Sequence, residues 1–251
     1  MRPIPILLAA ALLLPALPAA AEPQLAAARD PLGTYGDRAV YQVVREGTPI
    51  GRHVVHFSRV EDGGLRVKAE TDIDVGVFGL TLYRFQYVSN ALWRDGQLIE
   101  MMSRTDDDGD LRQVEARRDS DGQLEVRGPN GVWRAGDPAY PTNHWNPQVV
   151  ADSPPALINT LNGKRAEITL TRLGEASVPC GGTTCPAEAW RYEGDFAAKV
   201  FYDRAGRWLG MSFSARDGSR IDYVCQSCRP DSLATLPPDP PLPPEPPEAR
   251  P

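Results

Sequence analysis

The sequence has 251 residues, of which 33 are acidic and 27 are basic, so the chain carries a formal net charge of -6 at pH 7. An acidic chain without a basic cluster is a poor candidate for binding nucleic acid or anionic lipid. This balance leaves soluble partners and neutral ligands as the classes that fit.

The segment Met1–Ala21 has the composition of a secretory signal peptide. Arg2 supplies a basic start, Leu7–Leu14 form an apolar run, and Ala19–Ala21 make a small-residue cleavage site. The alternative, an uncleaved membrane anchor, is disfavoured because a spanning helix needs about 20 apolar residues and prolines interrupt this run. The segment has neither a cysteine for lipid attachment nor a twin-arginine pair. The sequence therefore predicts a periplasmic (or secreted) protein with no membrane span after cleavage, in which residues 22–35 form an N-terminal linker.

Turn signals then divide the chain at short intervals. Asp-Gly and Asn-Gly pairs suit the positive-φ positions of tight hairpin turns, so their spacing predicts an antiparallel meander. These pairs are Asp62–Gly63, Asp95–Gly96, Asp108–Gly109, Asp121–Gly122, Asn130–Gly131, Asn162–Gly163 and Asp217–Gly218.

The runs between the turns alternate between apolar and polar residues. Within residues 66–75, Val67, Ala69 and Ile73 share one face, and charged residues occupy the other. A period of two is the signature of a strand with one buried side and one wet side. Further faces of the same kind are formed by Tyr83, Phe85 and Tyr87, by Trp190 and Tyr192, by Leu209, Met211 and Phe213, and by Ile221, Tyr223 and Cys225.

These patterns predict an all-β fold: a single curved antiparallel sheet (half-barrel, barrel or sandwich) spanning residues 36–230. At most one short helix is expected, at 154–162 before the Asn-Gly turn. An outer-membrane barrel is rejected because the clearest strand carries charge along its whole outer face. Residues 231–251 are a proline-rich, disordered tail that favours extended backbone. It is either an inert spacer or a segment that a proline-reading partner recognises.

The four cysteines form two close pairs, Cys180 with Cys185 and Cys225 with Cys228. An even number of cysteines in an exported chain favours disulfides, with these two connectivities preferred. Cross-linking between the pairs, a four-thiolate zinc site and a redox dithiol are the alternatives.

Other candidate sites are weaker. The acidic run Asp106–Asp110 invites calcium, but the sixth and twelfth positions of such a loop would be Leu111 and Arg117, so a solvated hairpin tip is the better interpretation. His53 and His56 are three apart on a predicted strand and therefore point to opposite faces. The segment His144–Pro147 lies in the longest irregular stretch. Its Trp145 either lines a pocket mouth or plugs the open end of the sheet, and the plug is favoured because a large aromatic usually buries area first.

Several motifs, in order along the chain, resemble an uncharacterised exported proteobacterial family, the domain of unknown function numbered sixty-one thirty-four. The matching pieces are 47–51, 93–96, 103–109, 145–147, 161–162, 201–202 and 206–208, within roughly Tyr41 to Tyr223. The resemblance implies no activity and no catalytic residue. By loose analogy the chain also looks like the curved-sheet periplasmic proteins that shield lipid or lipoprotein acyl chains.

The leading hypothesis is a periplasmic binding or chaperone-like module for a lipid or other apolar ligand, without a catalytic residue, cofactor or metal. An envelope hydrolase using the His144–Asn146 loop and a structural or interaction protein are the alternatives. A deep apolar cavity favours the binding module, and a polar cleft at His144 favours the hydrolase. A filled interior favours the structural or interaction protein. The candidate ligand-lining residues are Tyr83, Phe85, Tyr87, Trp145, Asn146, Trp190 and Tyr192.

Overall fold

The computed structural model of the chain describes residues 30–78, 80–151 and 156–229. The predicted signal peptide, most of the linker and the proline-rich tail lie outside these ranges. Within the described ranges, neither helix is long and apolar enough to cross a bilayer.

The described chain is almost entirely strand, with two short helices. The elements are α1 Pro31–Tyr35, β1 Arg38–Arg45, β2 Thr48–Arg59, β3 Leu65–Val77, β4 Leu80–Arg94, β5 Gln97–Asp107, β6 Asp110–Arg118, β7 Leu124–Gly128, β8 Gly131–Ala135, β9 Ala139–Pro141, α2 Gln148–Ala151, β10 Ala156–Ile158, β11 Arg165–Ala166, β12 Ile168–Cys180, β13 Thr183–Gly194, β14 Ala198–Tyr202, β15 Trp208–Ser214 and β16 Arg220–Ser227.

One sheet of 13 strands dominates, in the order β12-β13-β14-β15-β16-β1-β2-β3-β4-β5-β6-β7-β8. All neighbours in it are antiparallel, which confirms the predicted fold class. The sheet also curls back on itself, because Cys180 at the end of β12 pairs in parallel with Cys225 on β16. A small second sheet, β11-β10-β9, lies on the segment between β8 and β12.

Turn chemistry explains the hairpins. At the β4–β5 turn, Asp95 and Gly96 have φ values of 50° and 78°, and at the β5–β6 turn Asp108 and Gly109 have 56° and 94°. Two consecutive positive φ values match the right-handed twist of the flanking strands, and Asp-Gly is a favoured sequence for them. The alternation predicted for β3 is also present, since Val67 and Ala69 are buried while their neighbours are partly exposed.

The segment that joins β8 to β12 differs from expectation. A helix was expected at 154–162, but residues 156–158 form β10 and Asn159–Gly163 form a turn. The Asn162–Gly163 pair specifies the turn, whereas pairing with β9 and β11 stabilises a strand instead of a helix at residues 156–158.

The first helix, α1, lies inside the predicted linker, and its Tyr35 is fully buried, so α1 belongs to the folded unit.

The described parts of this joining segment, residues 139–151 and 156–166, fill part of the concave side of the sheet. Tyr140 stacks on Trp93 of β4 with ring centroids 6.1 Å apart. The Ser103 hydroxyl on β5 donates to the carbonyl oxygen of Thr160 at 2.6 Å. Gly128 and Gly163 approach so closely that a Cβ built on Gly163 would lie 2.8 Å from the Gly128 Cα. We call residues 139–151 and 156–166 the plug, because they occupy the interior that the curved sheet would otherwise leave open.

Candidate ligand-binding cavity

The interior beside the plug holds a cavity of about 670 Å³. The inner faces of β2, β3, β4, β15 and β16 form its walls, and the plug closes its inner end. Its apolar and aromatic lining residues are Ile50, Val75, Tyr83, Phe85, Tyr87, Leu161, Phe196, Ala197, Ala198, Trp208, Met211, Phe213, Ala215, Ile221 and Tyr223.

The alternation of side chains along β4 determines one wall of the cavity. Tyr83, Phe85 and Tyr87 follow at every second position of β4 and all line the cavity. Phe85 pairs with Ile73 of β3, and Ile73 forms a small buried cluster with Val43 and the lining residue Ile221. Tyr83 and Phe85 pack against this cluster, so the wall is packed on that side.

The inner end of the cavity is polar but uncharged. There the Tyr87 hydroxyl donates to Asn143 Oδ1 at 2.8 Å, and Asn143 Nδ2 donates to the Ser89 hydroxyl at 3.0 Å. These bonds tie the plug to β4. Because both Asn143 bonds go to protein groups, this end is held in place without a ligand.

Two buried histidines also line the cavity. His53 Nδ1 lies 2.8 Å from the Thr71 hydroxyl, and its ring packs edge-on against Trp208 with centroids 5.6 Å apart. His144 lies between Tyr192 and Trp208, each with its centroid 5.6 Å away. His53 Nε2 and His144 Nδ1 have no hydrogen-bond partner among the described residues.

Burial keeps both histidines neutral. It lowers the pKa of His53 to about 3, with a smaller contribution from His144 and an opposing one from Glu70. It also lowers the pKa of His144 to about 4. His56, by contrast, lies on the outer face beside Glu70, as the odd spacing from His53 predicts. The inner cavity therefore presents neutral imidazoles at pH 7.

The charged groups lie at the other end, where hairpin turns meet. Among the described lining residues the charged ones are Arg45, Asp107, Arg216 and Asp217, all at strand ends or in turns. The side chains of Arg216 and Asp217 are 85% and 53% exposed, so the cavity opens to solvent between them. We call this end the mouth.

An ion pair spans the mouth. Asp107 at the end of β5 accepts hydrogen bonds from the Tyr83 hydroxyl at 2.8 Å and from Arg216 at 3.0 Å. Arg216 belongs to the β15–β16 turn, and four strands, β1 to β4, lie between β16 and β5 in the sheet order. The contact forms only because the sheet curves around the cavity. Arg45 makes a second pair with Asp217 on the same rim.

The remaining predicted lining residues lie away from the cavity wall. Trp145 is buried in the plug, where its ring packs edge-on against Phe57 and Trp93 with centroids 5.6 and 5.5 Å away. Asn146 Oδ1 accepts a hydrogen bond from the Gln148 backbone at the start of α2. Trp190 packs against the main core, and the fully buried Tyr192 packs on His144. Alternation predicts which face of β13 Trp190 and Tyr192 occupy, but neighbouring side chains fill the interior next to that strand.

Sequence reasoning also missed several lining residues. His53, Thr71 and Trp208 were not assigned to a site. Met211, Phe213 and Tyr223 were recognised as alternating strand residues without a role. The signal available in the sequence was their two-residue alternation, which puts them on inner strand faces. Alternation does not show which part of an inner face stays open, because that depends on where the plug ends.

The cysteines form Cys180–Cys185 and Cys225–Cys228 disulfides, which confirms the predicted pairing. All four are buried in the main core, and none lines the cavity. Because Cys180 pairs with Cys225 in the sheet, the two disulfides lie side by side where the sheet curls closed.

Comparison with known proteins supports the fold. The family model described as domain of unknown function DUF6134 matches residues 41–226, and no curated protein matches the sequence. The crystal structure of a β-barrel-like protein of domain of unknown function DUF1849 from Brucella abortus is similar, with a TM-score of 0.51, 11% identity and coverage of 75% of this chain and 94% of that one. At this identity the likeness concerns the fold alone. MucB in complex with MucA(peri) aligns over 75% of this chain and 85% of that one at 14% identity, but its TM-score of 0.14 supports no comparison.

Proposed function

The chain belongs to the DUF6134 family, and from its cavity we propose that it is a binding or chaperone-like module for a neutral, apolar ligand. The proposal is supported above all by a cavity of about 670 Å³ with apolar walls. Among its described lining residues, charged side chains lie only at the mouth.

The size and polarity of the cavity support this proposal. Its volume falls within the range of about 300–1,000 Å³ found for small-molecule sites, which are mostly apolar with a few placed polar groups. Burying apolar ligand surface is favourable by about 25 cal/mol per Å². A charged group at the inner end would lose its hydration next to neutral His53 and His144 and gain no opposite charge there, so ligands with a buried charge are disfavoured.

We place the protein in the periplasm or outside the cell. Support comes from the signal-like N-terminal sequence and from the two disulfides, which persist in oxidising compartments.

Binding is preferred over hydrolysis because of the surroundings of His144. A histidine that acts as a general base is commonly oriented by a group bonded to its second ring nitrogen. His144 Nδ1 has no hydrogen-bond partner among the described residues, and its ring contacts are Tyr192 and Trp208.

The first test fills the cavity. Met211→Trp adds bulk at a half-buried lining position, so it should abolish binding of an environment-sensitive apolar dye and of the neutral lipid that displaces it. Met102→Trp makes the same change at an exposed position outside the lining and should bind like the wild type. A wild type that neither binds dye nor carries a co-purified apolar molecule in native mass spectrometry would refute the proposal.

The second test places a charge on the wall. Phe85 is partly buried beside open space, so Phe85→Asp should remain folded and lose dye binding. In a closed core the same change would bury an unpaired carboxylate and unfold the domain. Circular dichroism separates these outcomes, and unfolding would show that the space is not a ligand site.

A further inference from the structure

The end of the β3–β4 hairpin carries the most exposed large apolar side chains in the described part of the chain. Phe78 is fully exposed, and Leu80 and Leu82 are 70% and 63% exposed. Single exposed apolar residues are ordinary, but a contiguous exposed group indicates an interaction site. We call Phe78, Leu80 and Leu82 the apolar tip.

The apolar tip stands beside the mouth of the cavity. Val75 and Tyr83, which face each other across β3 and β4, both line the cavity. Phe78 lies three residues beyond Val75, which corresponds to about 10 Å at the rise of a strand. The hairpin therefore projects past the cavity wall at its open end.

The neighbouring turns at this end are charged. The β1–β2 turn has Arg45 and Glu46, the β5–β6 turn has Asp108, and the β15–β16 turn has Arg216 and Asp217. The apolar residues are therefore concentrated on one hairpin of the rim.

The small size of the apolar tip argues against a protein partner. A specific protein interface buries about 800 Å² on each side and involves about 20–30 residues. Three side chains at the end of one hairpin supply only a fraction of that area. A bilayer interface requires no matching surface, and apolar groups enter it to a depth of about 5–10 Å. The projection of the hairpin is of that size.

The charges around the tip indicate what kind of bilayer fits. Arg84 pairs with Asp74 at 3.2 Å, Arg216 pairs with Asp107 at 3.0 Å, and Arg45 pairs with Asp217. These cations are already matched by carboxylates, and the chain as a whole is acidic. Attraction to anionic lipid is therefore weak, and contact depends on apolar insertion.

We propose that the apolar tip inserts into the interface of a lipid bilayer and holds the cavity mouth at the membrane surface. Contact with the bilayer does not depend on the proposed binding function. The consequence of this contact for ligand transfer does rest on the proposed binding function. A membrane-derived apolar molecule would pass between the bilayer and the cavity with little exposure to water.

The test is flotation of the full chain with phosphatidylcholine vesicles. The wild type should float with the vesicles, and Phe78→Ser with Leu80→Ser should lower the partition coefficient about tenfold or more, since each removes a large apolar side chain from the interface. Both positions are exposed, so circular dichroism and the thermal midpoint should be unchanged. Val132→Ser, at a 57% exposed position on β8, is the matched control and should float like the wild type.

Two further measurements distinguish a failure of the membrane proposal from a failure of the binding proposal. Vesicle binding should persist in about 1 M salt, where the Debye length is only about 3 Å. Met211→Trp should still float although it no longer binds dye, and the Phe78 and Leu80 double variant should still bind dye. A wild type that binds dye but does not float would refute the membrane proposal alone.

Three results would overturn the proposal. The first is a wild type that does not float, and the second is a double variant that floats as well as the wild type. The third is a protein contact instead of a lipid contact. This would be seen as an oligomer that the double variant dissociates or as a protein partner cross-linked at position 78.

Discussion

The Tyr35 hydroxyl donates a hydrogen bond to the carbonyl oxygen of Trp145 at 2.8 Å, which joins helix α1 to the plug. The same hydroxyl accepts a hydrogen bond from the Trp208 backbone N–H at 2.8 Å. Tyr202 makes a similar bond to the carbonyl oxygen of His144. Buried tyrosines thus hold the plug segment that closes the inner end of the cavity.

Tyr35→Phe should destabilise the protein. It leaves a buried carbonyl and a buried N–H without their partner, and each unsatisfied group costs about 1–3 kcal/mol. We expect the free energy of unfolding, measured by urea denaturation, to fall by about 2–4 kcal/mol. Tyr83→Phe is the control, because its hydroxyl bonds Asp107, which keeps its hydrogen bonds from Arg112 and Arg216 in the variant. Equal losses in the two variants would contradict the role given to Tyr35.

Stability should decrease in mild acid because of His53 and His144. Their pKa values in the folded chain, about 3 and about 4, lie below the ordinary 6.5, so the unfolded chain binds protons that the folded chain does not. Their contribution is complete above pH 6.5 and is lost as the pH falls through the folded-state values. The slope is at most about 1.4 kcal/mol per pH unit for each histidine.

Urea denaturation of His144→Asn between neutral pH and pH 4.5 checks this dependence. Asparagine tolerates the positive φ of 60° at this position. The variant should lose less stability on acidification than the wild type. Parallel pH curves for the two proteins would show that His144 is not held neutral by burial.

Arg216→Ala should speed ligand exchange with little effect on stability. The guanidinium is 85% exposed, and exposed ion pairs contribute only about 0–1 kcal/mol, so the thermal midpoint should hardly move. Because the pair with Asp107 spans the mouth, dye release in stopped flow should be about two- to fivefold faster. Arg204→Ala removes another exposed ion pair, with Glu175, and should leave the release rate unchanged. Unchanged release in Arg216→Ala would show that the pair does not restrict the mouth.

The two disulfides should each stabilise the fold modestly. Thiol alkylation of the denatured, unreduced protein should label no cysteine. Replacing either pair by alanines should lower the free energy of unfolding by about 2 kcal/mol, the loop-entropy value for such short rings. The two losses should deviate from additivity, since Cys180 and Cys225 are direct neighbours in the sheet. Labelling of all four thiols, with release of zinc, would favour a metal site instead.

Local signals in the sequence determined the strands, the turns and the paired cysteines. Asp95–Gly96 and Asp108–Gly109 specify hairpin turns through backbone conformation, and the period of two puts Tyr83, Phe85 and Tyr87 on one face. Both effects depend on residues a few positions apart, so the sequence is enough to predict them. The same reasoning identified Trp145 as a large aromatic that would plug the sheet.

The tertiary structure decided which part of the inner face remains open. Trp190 and Tyr192 alternate as clearly as Tyr83 and Phe85, yet they are packed by neighbouring side chains, while Phe85 faces the cavity. The contact between Arg216 and Asp107 and the pairing of Cys180 with Cys225 likewise depend on the curvature of the whole sheet. These features arise from packing between segments far apart in the chain, and a repeat of two residues contains no information about that packing.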